Sequence, residues 1–288
     1  MELTKEQMKI LREKEMEIFR SFIDVCKKLN LQYFVVQGTL LGAVRHQGFI
    51  PWDDDIDVGM LREDFDIFIE KGQALLPEEF FVQTHFTDPA YPHGFAKIRN
   101  NQTAFVETSS KNLRMNHGIF IDVFPFDYYP DGLFSKITFE TKKLLLRYRI
   151  RCSLFEPAAK EKTAGNFARW VMKEISKKIY PSLTEALDKQ YALYKNIKKG
   201  RYRINNGSPW GKRECIPKEW VQTTTPVLFE GMKVAAPIKY KKYLEHVYGD
   251  YMKLPPPEQR VTHHYLSYID FEKAYSPGNI NSCKGREL

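Results

Sequence analysis

The chain has 288 residues, a length that suits one large domain or two small ones. Hydrophobic residues make up 43%, charged residues 28% and aromatic residues 14%, which is typical of a globular protein and excludes a disordered one. The formal net charge is +8. This excess fits a phosphorylated or polyanionic partner, an anionic membrane surface, or a surface that only keeps the protein in solution.

The cellular location is predicted from what the chain contains. The four cysteines are scattered, in no zinc-binding or redox spacing, which favours a reducing compartment; they are Cys26, Cys152, Cys215 and Cys283. The first residues are charged and lack the apolar core of a signal peptide, and no window approaches the roughly 18 apolar residues of a membrane span. We expect a cytoplasmic protein, either free or peripheral at the inner face of the cell membrane.

The first predicted element is a helix over about residues 4–29. Thr4 and Gln7 form a capping-box pattern there, and apolar residues follow at helical spacing. A buried strand is predicted over 31–36, then a turn at Gly38 and Thr39 that leads into a short helix ending at Gly48. Further elements are a strand at 56–60, a helix at 61–76 and short strands at 80–85, 93–100 and 103–108.

The second half of the chain is predicted to be more helical. Residues 119–124 form a strongly β-prone run, and residues 133–151 form a basic amphipathic helix. The basic face of this helix is either solvated or in contact with anionic lipid. A second helical region covers about 164–199, and strands and loops follow Gly200. We predict one domain over 1–288, with a core at about 1–130 and 200–288 and a helical insertion at about 131–199.

The chemistry is concentrated in four carboxylates, Asp53, Asp54, Asp55 and Asp57, which stand within five positions between bulky apolar residues. Burying so much like charge is unfavourable unless a cation neutralises it. Oxygen ligands favour Mg²⁺ or Mn²⁺, so the pattern predicts a divalent metal site. On a strand, Asp55 and Asp57 would share one face, about 6–7 Å apart.

A third metal-binding acid is expected on a neighbouring strand. Asp122 is the candidate, because it stands alone inside an apolar strand. A Gly-Thr turn, an Asp-x-Asp strand and an isolated strand Asp together resemble the nucleotidyltransferase superfold. We therefore predict an α+β fold, with a nucleotidyltransferase-like mixed sheet flanked by helices. Phosphate contacts are expected from the Gly-Thr turn, and the basic candidates, for which a surface charge is the alternative, are Arg45, His46, Lys97 and Arg99.

The segment GTLLGAVRHQGFIPWDDDIDVG is very similar to the signature of LicD-family phosphotransferases, which include fukutin-related proteins. The resemblance continues in GIFIDVFPFD (118–127) and YGDYMKLPPP (248–257), and it is weaker between about 134 and 225. It implies metal-dependent transfer of phosphocholine, or a related alcohol phosphate, from CDP-choline or another CDP-alcohol. The implied acceptor is a glycan hydroxyl, as in teichoic acid precursors, capsule or lipopolysaccharide; nucleic acid is not an expected partner.

The resemblance also implies roles for residues. Asp55 and Asp57 would bind the metal, Asp53 would support the site, and Asp122 would be a ligand or the base for the acceptor hydroxyl. Asp54 would be structural. His263 and His264 would approach the phosphates, with a packing role as the alternative. Choline recognition would require aromatic faces, for which the candidates are Trp52, Tyr91, Phe95, Tyr128 and Tyr129; a packing role in the core or on the rim is the alternative for most of them. The zinc-binding cysteine cluster of the fukutin-related branch is not expected.

Two other functions fit the same residues. The same fold could transfer the nucleotidyl group, as NMP, to a small acceptor. The chain could also be a non-catalytic relative that binds a glycan or a membrane. The presence of Asp55, Asp57 and Asp122 argues against the second of these, because loss of a metal-binding acid would be expected in an inactive relative.

Overall fold

The computed structural model describes residues 2–154, 164–208, 210–262 and 264–276, with the backbone alone at 153, 154 and 164–170. The described helices are α1 (Lys5–Leu29), α2 (Gln37–His46), α3 (Arg62–Lys71), α4 (Leu133–Leu154), α5 (Ala164–Ile179), α6 (Leu183–Lys195) and α7 (Tyr240–Tyr248). The described strands are β1 (Phe34–Val35), β2 (Asp57–Leu61), β3 (Phe80–Gln83), β4 (Ala96–Asn100), β5 (Ala104–Glu107), β6 (Phe120–Tyr129), β7 (Tyr202–Asn205), β8 (Cys215–Pro217), β9 (Thr224–Phe229), β10 (Met232–Pro237) and β11 (Leu266–Asp270).

The main sheet is built around β6. Five strands lie in the order β1-β2-β6-β4-β3, and β7 pairs with the second half of β6 and carries β8. Strands β2 and β6 are parallel and in a register that sets Asp57 beside Asp122, whereas the other pairs in this sheet are antiparallel. The predicted α+β fold with a mixed sheet is confirmed.

Helix α1 packs its apolar face against this sheet. The predicted capping box is confirmed, since Thr4 Oγ1 accepts a hydrogen bond from the Gln7 amide and Gln7 Oε1 accepts one from the Thr4 amide. Large side chains of the helix, including Phe19 and Phe22, are fully buried in one continuous core with the strands. This packing also brings α1 to the loop before β2.

Several predicted boundaries need correction. Strand β2 begins at Asp57, so Asp55 precedes the strand instead of lying on it. Gly38 and Thr39 belong to the first turn of α2, which ends at His46 before Gln47 in the left-handed region. The helical region at 164–199 consists of two helices, since Pro181 lacks the amide hydrogen that a continuous helix needs. Helix α7 was not predicted.

The basic helix α4 is less solvated than its composition indicates. Lys143 and Arg149 are buried, and Arg149 donates hydrogen bonds to the carbonyl oxygens of Tyr180 and Pro181. Arg149, on the basic face, therefore binds α4 to the segment between α5 and α6. None of the described helices combines the length and the apolar character that a membrane span requires.

Candidate active site

Three carboxylates meet where β2 and β6 run side by side. One oxygen each of Asp55, Asp57 and Asp122 lies within 4.8 Å of the others. The parallel register aligns Asp57 with Asp122, and the Asp122 amide donates to the Ile56 carbonyl at 2.9 Å, which extends the pairing to the residue after Asp55. We call Asp53, Asp55, Asp57 and Asp122 the acid centre. Oxygen atoms of Asp53, Asp54 and Asp55 also lie within 4.8 Å of one another.

The loop before β2 is held by side chains from distant parts of the chain. Arg12 Nη2 on α1 donates to the carbonyl oxygens of Ile50, Pro51 and Asp53 at 2.9, 3.0 and 2.9 Å. Thr39 Oγ1 accepts a hydrogen bond from the Asp57 amide at 2.7 Å. These bonds fix the backbone on both sides of Asp55, so the carboxylates are held in place before any ligand binds.

The electrostatics of the acid centre call for a cation. Burial raises the pKa of Asp57 well above its ordinary value, and the charges of Asp55 and Asp122 raise it further. Burial and the neighbouring acids likewise raise the pKa of Asp53. Burial raises the pKa of Asp55 to about 6, although His264 opposes the shift. A divalent cation would offset both causes, the burial of these carboxylates and the repulsion between them, and their oxygen atoms fit Mg²⁺ or Mn²⁺.

Lys97 supplies a positive charge inside the site. Its Nζ lies 2.7 Å from Asp122 Oδ1 and 3.2 Å from the centroid of the Phe120 ring, and its side chain is buried. Arg99 follows on the same face of β4 and is fully buried, with bonds to Gln83 and the Gly118 carbonyl. The alternative of a surface charge is wrong for both residues. Lys97 lies beside the acid centre. The described hydrogen bonds of Arg99 instead include one to the Gly118 carbonyl, just before the start of β6.

His264 joins the C-terminal segment to the acid loop. Its Nδ1 lies 3.1 Å from Asp54 Oδ1, and its Nε2 lies 4.0 Å from Glu107 at the end of β5. Burial lowers the pKa of His264, but the hydrogen bond with Asp54 and the nearby carboxylates outweigh burial and raise the pKa to about 9. His264 is therefore an imidazolium at neutral pH. His263 lies outside the described residues.

The remaining predicted phosphate contacts line one side of the acid centre. Gly38 lies so close to Asp53 that an added Cβ would overlap Asp53 Oδ2, which explains glycine there. The Thr39 hydroxyl accepts a hydrogen bond from the Asp57 amide, so its observed role is to hold the backbone of Asp57. Arg45, His46 and Trp52 form a half-buried rim beside them, where the rings of His46 and Trp52 are 6.4 Å apart.

The aromatic candidates for choline do not form one cage. Tyr91 and Tyr129 are buried. Phe95 packs on Phe124 with ring centroids 4.6 Å apart, and the Arg203 guanidinium lies 3.5 Å from the centroid of the Tyr128 ring. Of the aromatic set, Trp52 lies on the rim of the acid centre and Phe95 lies 5.7 Å from the Lys97 ammonium.

Sequence reasoning missed four charged residues around the site: Arg12, Glu15, Glu107 and Arg260. Glu15 is 2% exposed on α1, and burial together with Asp55, Asp54 and Asp53 raises its pKa well above the ordinary value. A signal for it was present, because Glu15 occupies a position in the apolar stripe between Leu11 and Phe19. Glu107 and Arg260 carry no comparable pattern in the sequence.

The mixed sheet, with acids paired across two parallel strands and a third just before them, defines a nucleotidyltransferase-type domain. Residues 30–169 match the family described as LicD/FKTN/FKRP, nucleotidyltransferase domain. The chain is also 32% identical over 261 residues to "Lipopolysaccharide cholinephosphotransferase LicD" of Haemophilus influenzae. That alignment covers 88% of this chain and 96% of the relative. The chain therefore belongs to the LicD family, which identifies it as a phosphotransferase.

A shorter match reaches the fukutin-related branch. "Ribitol 5-phosphate transferase FKRP" of Homo sapiens is 42% identical over 48 residues, which is 17% of this chain and 10% of that protein. The protein of the same name from Mus musculus matches over the same length at the same identity. These matches confirm the expected link between the two branches of the family.

Proposed function

We propose that the protein transfers phosphocholine, or a related alcohol phosphate, from a CDP-activated donor to a hydroxyl of a cell-surface glycan precursor. Teichoic acid, capsule and lipopolysaccharide precursors are the acceptor classes that we propose, and Mg²⁺ or Mn²⁺ is the proposed cofactor. The observation that carries the proposal is the convergence of Asp55, Asp57 and Asp122 within 4.8 Å in a chain of the LicD family.

The carboxylates of Asp55, Asp57 and Asp122 would hold the metal. When bound, a divalent cation offsets the negative charge of a diphosphate and so makes its phosphorus atoms more accessible to an attacking oxygen. Thr39 and Arg12 keep the ligands in register through the backbone. Lys97 compensates the charge of Asp122 by direct ion pairing.

In the proposed reaction, the acceptor hydroxyl attacks the β-phosphorus, which carries the alcohol. A new P–O bond forms to the acceptor, the bond from that phosphorus to the bridging oxygen breaks, and CMP leaves with that oxygen. The hydroxyl proton passes to a carboxylate of the acid centre. Asp122 is the candidate for this base in the alternative in which Asp55 and Asp57 hold the metal without it. A direct displacement predicts inversion at phosphorus, so net retention with a chiral phosphorothioate donor would contradict it.

The experiment that tests the proposal combines calorimetry with product analysis. The purified protein is titrated with CDP-choline, CDP-glycerol, CDP-ribitol and CTP, each with and without Mg²⁺. Two results together support phosphocholine transfer. The first is metal-dependent binding of CDP-choline with higher affinity than the other three ligands, and the second is release of CMP in the presence of a glycan acceptor. Preference for another CDP-alcohol keeps the reaction and changes the product.

Other outcomes favour the alternatives. Binding of CTP alone, with a nucleotide attached to the acceptor, indicates nucleotidyl transfer. Glycan binding without turnover of any donor indicates a non-catalytic relative. The proposed location remains the cytoplasm, at the inner face of the membrane, and contact of the basic helix α4 with lipid stays a prediction.

A further inference from the structure

Two arginine side chains on the rim of the acid centre have no carboxylate partner among the residues that the structure describes. Arg45 stands in the last turn of α2, and Arg260 follows a short 3₁₀ turn at Pro257–Gln259. Within the described part of the chain, their hydrogen bonds go to backbone carbonyl oxygens and to His46, and to no carboxylate. Arg62, by contrast, is neutralised by Asp127. Arg45 and Arg260 therefore keep charge available for an anion.

The two guanidinium groups belong to one continuous row of side chains. Arg45 Nε donates to His46 Nδ1 at 3.5 Å, the His46 and Trp52 rings are 6.4 Å apart, and the Arg260 guanidinium lies 5.6 Å from the Trp52 centroid. Trp52 immediately precedes Asp53. The row thus ends where the acid centre begins.

Both arginines are oriented by backbone contacts. Arg45 Nη1 donates to the Tyr251 carbonyl at 3.0 Å, and Arg260 Nε donates to the Pro255 carbonyl at 2.9 Å. Stacking on Trp52 further restricts Arg260. A guanidinium held in this way loses little conformational entropy when its remaining N–H groups bind a ligand.

The placement is electrostatically unfavourable for the protein alone. Burial lowers the pKa of Arg45, and the charge of Arg260 lowers it further, while Tyr248 and Asp53 oppose the shift. Two like charges that repel each other in this way are stabilised when an anion binds near both. The anion must also tolerate the neighbouring carboxylates, which a phosphate bound together with a divalent cation would do.

We propose that Arg45 and Arg260 form an arginine pair that binds the diphosphate of a nucleoside diphosphate donor beside the metal-binding acids. The proposal rests on the proposed function for the identity of the donor, but the chemistry that it assigns to the pair is recognition of a diphosphate. Arginine suits this role because its planar fork bonds two phosphate oxygens at once.

The test uses Arg260→Gln and Arg260→Lys, with Arg20→Gln on the exposed face of α1 as the matched control. Binding of inorganic pyrophosphate, CDP and CDP-choline is measured by calorimetry with Mn²⁺ present, and binding of Mn²⁺ alone is measured in parallel. We expect Arg260→Gln to weaken all three ligands by about 10- to 100-fold, since charge-assisted hydrogen bonds are lost. Arg260→Lys should recover part of the loss, and Mn²⁺ affinity and the Arg20→Gln variant should match the wild type.

The outcomes separate this proposal from the proposed function. Binding of pyrophosphate and CDP that depends on Arg260, with no binding of CDP-choline by the wild type, supports the arginine pair and contradicts the choline donor. Unchanged diphosphate affinity in Arg260→Gln overturns the arginine pair. Equal loss of diphosphate and Mn²⁺ binding also overturns it, because Arg260 would then support the acid loop.

Discussion

Strand β6 carries two buried aspartates with opposite surroundings. Asp127 receives two hydrogen bonds from Arg62, at 2.6 and 3.0 Å, and one from Asn206 at 3.2 Å. Asp122 has the Lys97 ammonium at 2.7 Å and faces Asp55 and Asp57, which bring further negative charge. The same strand thus holds one carboxylate that the chain neutralises and one that it leaves in a cluster of like charge.

The difference separates a structural charge from a functional one. A buried ion pair with its hydrogen bonds satisfied needs no ligand, whereas a cluster of acids that outnumber their cationic partners is stabilised by a bound cation. The Asp127 network also extends through Arg62 to Asp66, which accepts hydrogen bonds from Arg62 and from Tyr191 on α6. Asp127 therefore holds α6 to the sheet, and the acid centre is free to bind a cation.

The largest expected effect comes from breaking the Arg62–Asp127 pair. Asp127→Asn leaves the Arg62 guanidinium buried without its counter-ion, and we expect a loss of about 3–5 kcal/mol in the free energy of unfolding. Denaturant unfolding measures this loss. Asp131→Asn is the matched control, since Asp131 and Arg201 form an exposed pair at 3.4 Å whose loss should cost less than about 1 kcal/mol. Equal losses in the two variants would mean that the buried Arg62–Asp127 pair stabilises the fold no more than an exposed pair does.

Asp57→Asn should have the opposite effect to Asp127→Asn, with a large loss of activity and no loss of stability. We expect kcat to fall by at least about 100-fold, because the proposed metal would contribute several kcal/mol of transition-state stabilisation. Without metal, the variant should unfold at or above the wild-type temperature, because a buried repulsive charge has been removed. The rate of CMP release and thermal unfolding measure the two effects. Asp24→Asn, on the exposed face of α1, is the control. A collapse of the fold in Asp57→Asn would mean that the acid centre is structural.

The stabilisation by metal should depend on pH. Burial raises the pKa of Asp55 from 3.8 to about 6, so its protonated form stabilises the metal-free fold at low pH, and that contribution is lost as pH rises from about 4 to 6. Above pH 6 a cation can replace the proton. The Mg²⁺ concentration is kept the same at both pH values, at about 100 times the Kd measured at pH 7.5. We expect a Tm increase of about 5 °C at pH 7.5 and a much smaller one at pH 5, where protons compete with the cation. An equal increase at both pH values, or one that persists in Asp57→Asn, would contradict this.

The sequence predicted those parts of the structure that depend on local pattern. The capping box at Thr4 marked the start of α1, and an acid isolated in an apolar strand marked Asp122. The contacts of Arg12 with residues 50, 51 and 53 could not be predicted in this way, because they join segments that are distant in the chain and leave no periodic trace. Helix α7 had a usable signal in Tyr243, Leu244 and Val247, which are buried at helical spacing.

The smallest expected effect tests how the backbone positions the acid centre. Thr39→Val keeps the shape of the side chain but removes the acceptor for the buried Asp57 amide. We expect a loss of about 1–3 kcal/mol in unfolding free energy and a roughly 10-fold weaker affinity for Mn²⁺, since a group that orients a metal ligand is lost. Thr39→Ser, which keeps the hydroxyl, should retain the metal affinity of the wild type. If Thr39→Ser loses metal affinity and Thr39→Val keeps it, the methyl group and not the hydrogen bond positions Asp57, and the acid centre would then depend on packing in the same way as the rest of the core.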